Sequence, residues 1–248
     1  MLGWFAYLWF TPIPAPYQYQ LISEGDSKKF PQMDLDAWPD LKLSQYKVQA
    51  EGIDKPIAEL IVAQQGDGPR VLTYWKNSTN EILYNLDRKP SELSALAAVI
   101  GKHAPKDALI LSWWDTSRQI KLLTGHDTLF TSHLNEPLMV PVAWLEQSKA
   151  IMAYENQFWE SSANSKEQEQ FKRFSQALAA SAEEGVAQLR ELIGSNREAY
   201  LIVHVTDLYK LGLMYPDKIG VAYQNFPLTG NMHGMINHMK VQLKENDF

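Results

Sequence analysis

The sequence predicts an α/β protein: a mixed sheet entered by an N-terminal antiparallel hairpin, with helices packed on the sheet. Two patterns lead there. The first is the segment "PIAELIVAQQGDGPRVLTYWKN" (56–77), two apolar runs split by the turn-forming "QGDGP". The second is strand–helix–strand alternation from residue 81 onward, which suits strands covered by helices. With 248 residues the chain can bury a sizeable core. Residues 17–248 are expected to form a single soluble α/β domain. Residues 1–16 precede it as an aromatic arm and a Pro-rich spacer.

Each element has a local reason. "YQYQLI" (17–22) alternates, as a half-buried strand does. Residues 23–47 are polar and broken by proline, with Phe30, Trp38 and Leu41 as tack-down points. The hairpin occupies 56–77, and "EILYNL" (81–86) is a third strand. "SELSALAAVIGKH" starts at a Ser cap, puts Leu93, Leu96, Ala97 and Ile100 on one face, and stops at Gly101. "DALILS" is a short buried strand. "TSRQIKLLTG" runs as a helix from a Thr/Ser cap to Gly125, and "TLF" is extended again. A helix begins near Pro141. Residues 165–194 form two amphipathic helices split near Ser181 to Gly185. "AYLIVHV" (199–205) is a buried strand, "TDLYKLGLM" a short capped helix and "KIGVAYQNF" a strand. "NMHGMINHMKVQLKEN" is a terminal helix with Met232, Met235, Ile236, Met239 and Leu243 on one face.

Composition excludes several functions. The net charge is -6 and no Lys/Arg cluster stands out, so a nucleic-acid partner is not expected, because phosphate binding needs a basic surface. There is no cysteine. That removes disulfides, Cys-ligated zinc or iron–sulfur sites, a cysteine nucleophile and Cys-x-x-Cys-His haem attachment. No Gly-rich phosphate loop, nucleophile elbow or H-E-x-x-H motif occurs.

The N-terminal "MLGWFAYLWF" carries no charge and includes Trp4, Phe5, Tyr7, Trp9 and Phe10. "TPIPAP" then ends any helix. Ten helical residues span roughly 15 Å, about half a bilayer core. The basic region and cleavage site of a signal peptide are missing. The segment is therefore expected to be the exit end of a membrane anchor with its aromatic belt, the given sequence beginning within a longer protein. The other reading is an apolar arm packed on its own domain or on a partner.

The stretch "ALILSWWDTSRQIKLLTG" (108–125) carries the candidate site. In open α/β sheets, ligands bind at the carboxyl ends of strands, near the starts of the following helices, and "WWD" sits at such an edge. Consecutive strand residues point to opposite faces, so one of Trp113 and Trp114 is expected in the core and the other in a pocket wall. Asp115 is placed at the helix cap, with Arg118 one turn on and close enough to pair with it. On that placement Asp115→Asn leaves the fold intact, because asparagine caps as well as aspartate. "YWKN" ends its strand much as "SWWD" ends another, so Trp75 and Lys76 join the set. The candidate ligand-binding residues are thus Trp113, Trp114, Asp115, Arg118, Trp75 and Lys76. Two readings stand: a capped helix over a Trp-packed corner, or an aromatic-plus-carboxylate site for a small polar or cationic ligand. No catalytic residue is assigned.

The histidines add less. His126 and His133 lie seven apart and share no strand face. His204 is expected to be buried in mid-strand, with a secondary claim to a pocket near the strand's carboxyl end. His233 and His238 stand among methionines, and Met and His do ligate copper. Their five-residue spacing fits one helical face poorly, and the methionine spacing is that of a core. No metal and no cofactor are assigned.

The runs "GDGPRVLTYWKNST", "ALILSWWDTSR", "NEPLMVPVAW" and "NMHGMI" together resemble the hydroxylamine oxidation protein B (HaoB) family across most of residues 50–245. The resemblance implies a gene beside the multihaem hydroxylamine oxidoreductase of ammonia- and methane-oxidising bacteria. It also implies a periplasmic protein of nitrification, anchored to the inner membrane by its N-terminus, and that oxidoreductase as its partner. It implies no particular reaction. An accessory, binding role follows, since the chain lacks the haem motifs of a c-type electron carrier. Separately, "SWWD" is similar to the Trp-Trp-Asp motif in soluble domains of oligosaccharyltransferase catalytic subunits, where it recognises the acceptor hydroxyl residue. That match covers four residues and has no multi-span membrane domain behind it. It implies the alternative of a transferase or hydrolase using Asp115.

Overall fold

Alternating side chains build the first sheet. β1 (Tyr17–Gly25), β2 (Leu41–Ala50), β3 (Ala58–Gln65) and β4 (Val71–Asn77) lie side by side in that order, each antiparallel to the next. The structure is a computed structural model and describes residues 14–78, 89–136, 138, 140–161, 164–194 and 197–220. The expected hairpin is β3–β4, pairing Ala63 with Val71 and Ala58 with Asn77, with one bulged residue, Thr73, where the register shifts between Ile61 and Val62. Its turn places Gly66 at φ +53°, a left-handed conformation that glycine adopts without a Cβ clash.

The continuous apolar run in β3 has a simple cause: both faces of the sheet are covered. Ile61 and Ala63 pack with Leu41 and Leu43 of β2 against Phe30, Met33, Leu35 and two helices. Leu60 and Val62 pack on the other face with Val48 and Trp159.

β2 corrects the sequence reading, in which residues 41–47 belonged to an irregular stretch. Leu41 and Leu43 face one side of the sheet and Val48 and Ala50 the other, with polar Ser44, Gln45 and Lys47 between, so no single alternation runs through the strand. The first sheet is accordingly a four-stranded meander, not a lone hairpin.

The second sheet is parallel and small. β5 (Leu109–Leu111) is central, flanked by β6 (Asp127–Thr128) and β7 (Ala199–Leu201). The protein is α/β as expected, but its strands form two sheets instead of one mixed sheet. "AYLIVHV" supplies only three strand residues. His204, expected in mid-strand, instead caps the next helix: its side chain accepts from the Thr206 N–H, and Asp207 answers at the His204 N–H.

Six α-helices are described: α1 (Glu92–His103), α2 (Trp114–Thr124), α3 (Ser148–Phe158), α4 (Ser165–Leu178), α5 (Ala182–Ile193) and α6 (Val205–Met214). α1 runs two residues past the expected stop at Gly101. A 3-10 turn, Val142–Gln147, leads into α3. Asn164 and Ser181 cap α4 and α5 through their side chains, and Gly194 ends α5 in the left-handed conformation. No described helix is long and apolar enough to cross a membrane. The arm at 1–13, the expected strand at 81–86 and the terminal helix with His233 and His238 lie outside the described residues. So does most of the expected strand at 218–226.

α4 and α5 meet at Gly185, where an added Cβ would lie 2.5 Å from the Ala177 carbonyl oxygen. That oxygen belongs to backbone and cannot swing aside. Gly185→Ala is therefore expected to destabilise the protein by about 1–3 kcal/mol, despite alanine's better helix propensity. Urea denaturation checks it, and an unchanged midpoint would show that α5 slides freely over α4.

Candidate functional site

The strand ends at Leu111, so the alternation rule lapses before the tryptophans. Trp113 is the extended N-cap of α2 and Trp114 its first helical residue. Both line one pocket, with Leu72, Asp115, Arg118, Glu136 and Lys210. This overturns the expectation that only one could. Trp113 serves twice. It is 1% exposed and meets Phe171 edge-on at 4.9 Å, yet its ring also bounds the cavity. Trp114 donates from Nε1 to the Glu136 carbonyl.

The pocket encloses about 190 Å³. Its position follows from how α2 is tied down. Gln119 donates to the Leu72 carbonyl at 2.6 Å and Arg118 to the Arg70 carbonyl at 2.6 Å. These bonds lash α2 to β4 and its approach, while β5 feeds α2 from the other sheet. The cavity thus lies where the two sheets' elements converge.

Asp115 is not the cap. It is the second residue of the helix, and its Oδ1 accepts from the Thr116 N–H at 2.7 Å. Its Oδ2 lies 3.2 Å from Nζ of Lys210 on α6. The expectation that Asp115→Asn is harmless because asparagine caps equally well therefore loses its basis. Lys210 is also 3.3 Å from Asp207 Oδ1, and its ammonium sits 4.9 Å from the centre of the Trp113 ring. Burial raises the pKa of Asp207, and Lys210 opposes that rise.

Arg118 is 4% exposed. Its guanidinium donates to the Arg70 carbonyl and, at 3.0 Å, to Nδ1 of His133. Arginine has no acceptor, so His133 Nδ1 must carry the lone pair and Nε2 the proton, which it donates to Asn135. His133 is packed edge-on against Trp114 and stacked on Trp159 at 4.9 Å. Burial first, then the Arg118 charge, push its pKa down to about 3. It is a neutral acceptor at physiological pH. Burial likewise lowers Arg118 to about 10, with Asp115 and Glu167 acting against that, so the guanidinium stays charged.

Of the sequence candidates, Trp113, Trp114, Asp115 and Arg118 come together. Trp75 and Lys76 do not line this pocket. Trp75 pairs with Leu60 and packs beside Val48 and Trp159 on the same face of the first sheet as Leu72 but farther along β4, and Lys76 is exposed on the same strand. Leu72, earlier in β4, takes the place expected of them. Sequence reasoning missed Lys210, His133 and Glu136. Lys210 had one signal, its i,i+3 spacing from Asp207 on a short helix. His133 and Glu136 come from a loop and had none.

A second groove of about 390 Å³ runs between α1, β4, α2 and residues 202–204. His204 lines it, with Nε2 3.0 Å from Glu92, so its secondary claim to a pocket has a place in the fold. His126 is buried, and neither ring nitrogen is hydrogen-bonded among the described residues. Among those residues no three His, Asp or Glu side chains gather as metal ligands.

Fold and site define a class: an α/β protein with two small sheets and a cavity walled by tryptophans and charges at their junction. The family model described as HaoA-associated protein HaoB matches residues 1–248. The chain belongs to the HaoB family, which makes it a member of a HaoA-associated group. No curated protein and no solved structure matches it.

Proposed function

We propose that this protein is an accessory of hydroxylamine oxidation that works by binding. Its partner is HaoA, read as the multihaem hydroxylamine oxidoreductase, and its Trp113–Trp114 pocket holds a small polar ligand. The observation that carries the reading is the match over the whole chain to a family described by its association with HaoA. The pocket supports it: two tryptophans, a buried guanidinium and a lysine–aspartate pair converge on a space of about 190 Å³, smaller than a drug-sized site of about 300–1,000 Å³. Its charged groups are held by α2, α6 and the approach to β4, so the walls are formed in advance of any ligand.

The alternative, a transferase or hydrolase using Asp115 as base, gains no specific support. Both Asp115 oxygens are engaged, one by the Thr116 N–H and one by Lys210. A general base also needs a substrate proton within hydrogen-bond reach, and no geometry in the pocket marks a position for one.

We further propose a periplasmic location with the N-terminal aromatic segment tethering the protein to the inner membrane. The uncharged, aromatic composition of residues 1–10 supports this. Two measurements test the whole reading. Tagged full-length protein is expected to retrieve a haem-staining band from cells expressing HaoA, and its consistent absence after cross-linking would remove the accessory role. Fractionation of the same cells is expected to leave the protein with membranes after a salt wash. Complete recovery in the soluble fraction would remove the tether and leave the HaoA association standing.

A further inference from the structure

Building on the reading of residues 1–10 as a membrane tether, we propose that the domain rests on the lipid interface through one end of its own surface, built around Ile53, Val142 and Leu145.

Exposed apolar side chains gather where the N-terminal arm joins the domain. None of the residues of the 3-10 turn Val142–Gln147 is buried, and Val142 is 85% and Leu145 55% exposed. Between them, Trp144 stacks on Tyr17 at 5.6 Å. Tyr17 opens β1, three residues after Pro14, the first described residue. Three residues reach at most about 11 Å, so the arm leaves the domain beside Trp144 and its two exposed neighbours. Ile53, 46% exposed, belongs to the connection between β2 and β3. That connection is held at the same end, because the Glu51 N–H donates to the Pro16 carbonyl and Ala50 pairs with Tyr17.

Apolar side chains held out on a structured turn add nothing to the core, and where they cluster they mark a protein or membrane contact. Two observations favour lipid. Behind the exposed residues lies an aromatic group, Tyr17 with Trp144 and Tyr154, and tyrosine and tryptophan concentrate at membrane interfaces, where one end of the side chain is apolar and the other wet. The arm entering beside them is uncharged over residues 1–10 and carries five aromatics. A tether attached here holds this end at the bilayer at high effective concentration, so a contact of three apolar side chains is enough. Electrostatic attraction is not the driving force. Glu51, Asp54 and Glu146 are exposed nearby and Lys55 and Lys149 offset them, so the contact is expected to survive high salt.

The test uses the full chain. It has no cysteine, so Ile53→Cys, Val142→Cys and Leu145→Cys each carry a single nitroxide label. Val186→Cys is the control, 49% exposed on α5, which packs on α4. Electron paramagnetic resonance reads the access of each label to a water-soluble nickel chelate, with and without phosphatidylcholine vesicles. Vesicles are expected to cut access about ten-fold at 53, 142 and 145, since interfacial apolar groups sink about 5–10 Å into the headgroup boundary, and to leave 186 unchanged. Val142→Glu/Leu145→Glu, at exposed positions, is expected to keep its melting temperature and remain with the vesicles, yet to return access at 53 to its vesicle-free level. Vesicle-bound chains whose labels at 142 and 145 stay as open as 186 would overturn the lipid contact and leave the tether standing. Labels already shielded without vesicles would give the surface to the arm or to a second copy, and overturn the contact likewise. Shielding at 53 unchanged in the folded double variant would overturn the role of Val142 and Leu145. Failure of the full chain to bind vesicles would overturn tether and contact together.

Discussion

Trp113→Ala is expected to lower the melting temperature by roughly 6–20 °C. The ring is 1% exposed, caps α2, meets Phe171 edge-on and supports the Lys210 ammonium. Truncating a buried Trp to Ala costs about 3–5 kcal/mol, because the cavity collapses only in part. In a chain of this length each kcal/mol shifts the midpoint by about 2–4 °C. Here buried Leu109, Leu111, Phe130 and Phe171 pack in the same cluster around the vacancy, which limits collapse. Trp113→Phe restores most of the volume and should recover most of the loss. Thermal melts followed by circular dichroism check the pair. A midpoint for Trp113→Ala within two or three degrees of the parent would show that the pocket, not the core, owns this side chain.

The second large effect is a loss of stability in acid through His133. Its folded pKa is about 3, below the ordinary value of about 6.5 expected in the unfolded chain. Between those two values the unfolded state binds a proton that the folded state refuses. Unfolding therefore takes up protons, and stability rises with pH across the window at about 1.4 kcal/mol per unit. From pH 6.5 down to pH 4 the loss from this residue alone is about 3 kcal/mol. The physical cause is burial between Trp114 and Trp159 with the Arg118 guanidinium 3.0 Å away, which leaves no room for a second positive charge. Urea melts of the parent and of His133→Gln at half-unit steps isolate the term, since other titrating groups are common to both. The parent curve is expected to fall more steeply than the variant's. Parallel curves would mean that His133 accepts its proton within the fold.

These two residues also mark how far the sequence reaches. Trp113, Trp114, Asp115 and Arg118 are consecutive or one helical turn apart. A strand end meeting a helix start therefore identified them as neighbours without any tertiary information. The same holds for the β3–β4 hairpin, whose turn residues are local, and for the amphipathic helices α4 and α5, whose caps and apolar spacing lie within the segment. Family membership was legible too, because it depends on residue order alone.

What the sequence could not settle was which distant segment closes each site. Lys210 reaches Asp115 across 95 residues, and His133 reaches Arg118 across 15, from a loop with no periodicity. Such pairings depend on where α6 and residues 130–136 pack, and no local pattern encodes that. Trp75 and Lys76 show the converse. They resemble the "SWWD" corner as text, yet Trp75 sits three residues along β4 from Leu72, on the same face but packed beside Val48 and Trp159, and only Leu72 reaches the pocket. β2 went unseen because a strand buried on both faces and crossed by polar residues loses its period-two signal. The sequence by itself determined the α/β class, the local elements and the four residues at the head of α2. The tertiary structure decided that an ammonium from α6 lies over the Trp113 ring beside Asp115. Contacts between distant segments fix charge pairing, and charge pairing decides what a pocket can hold.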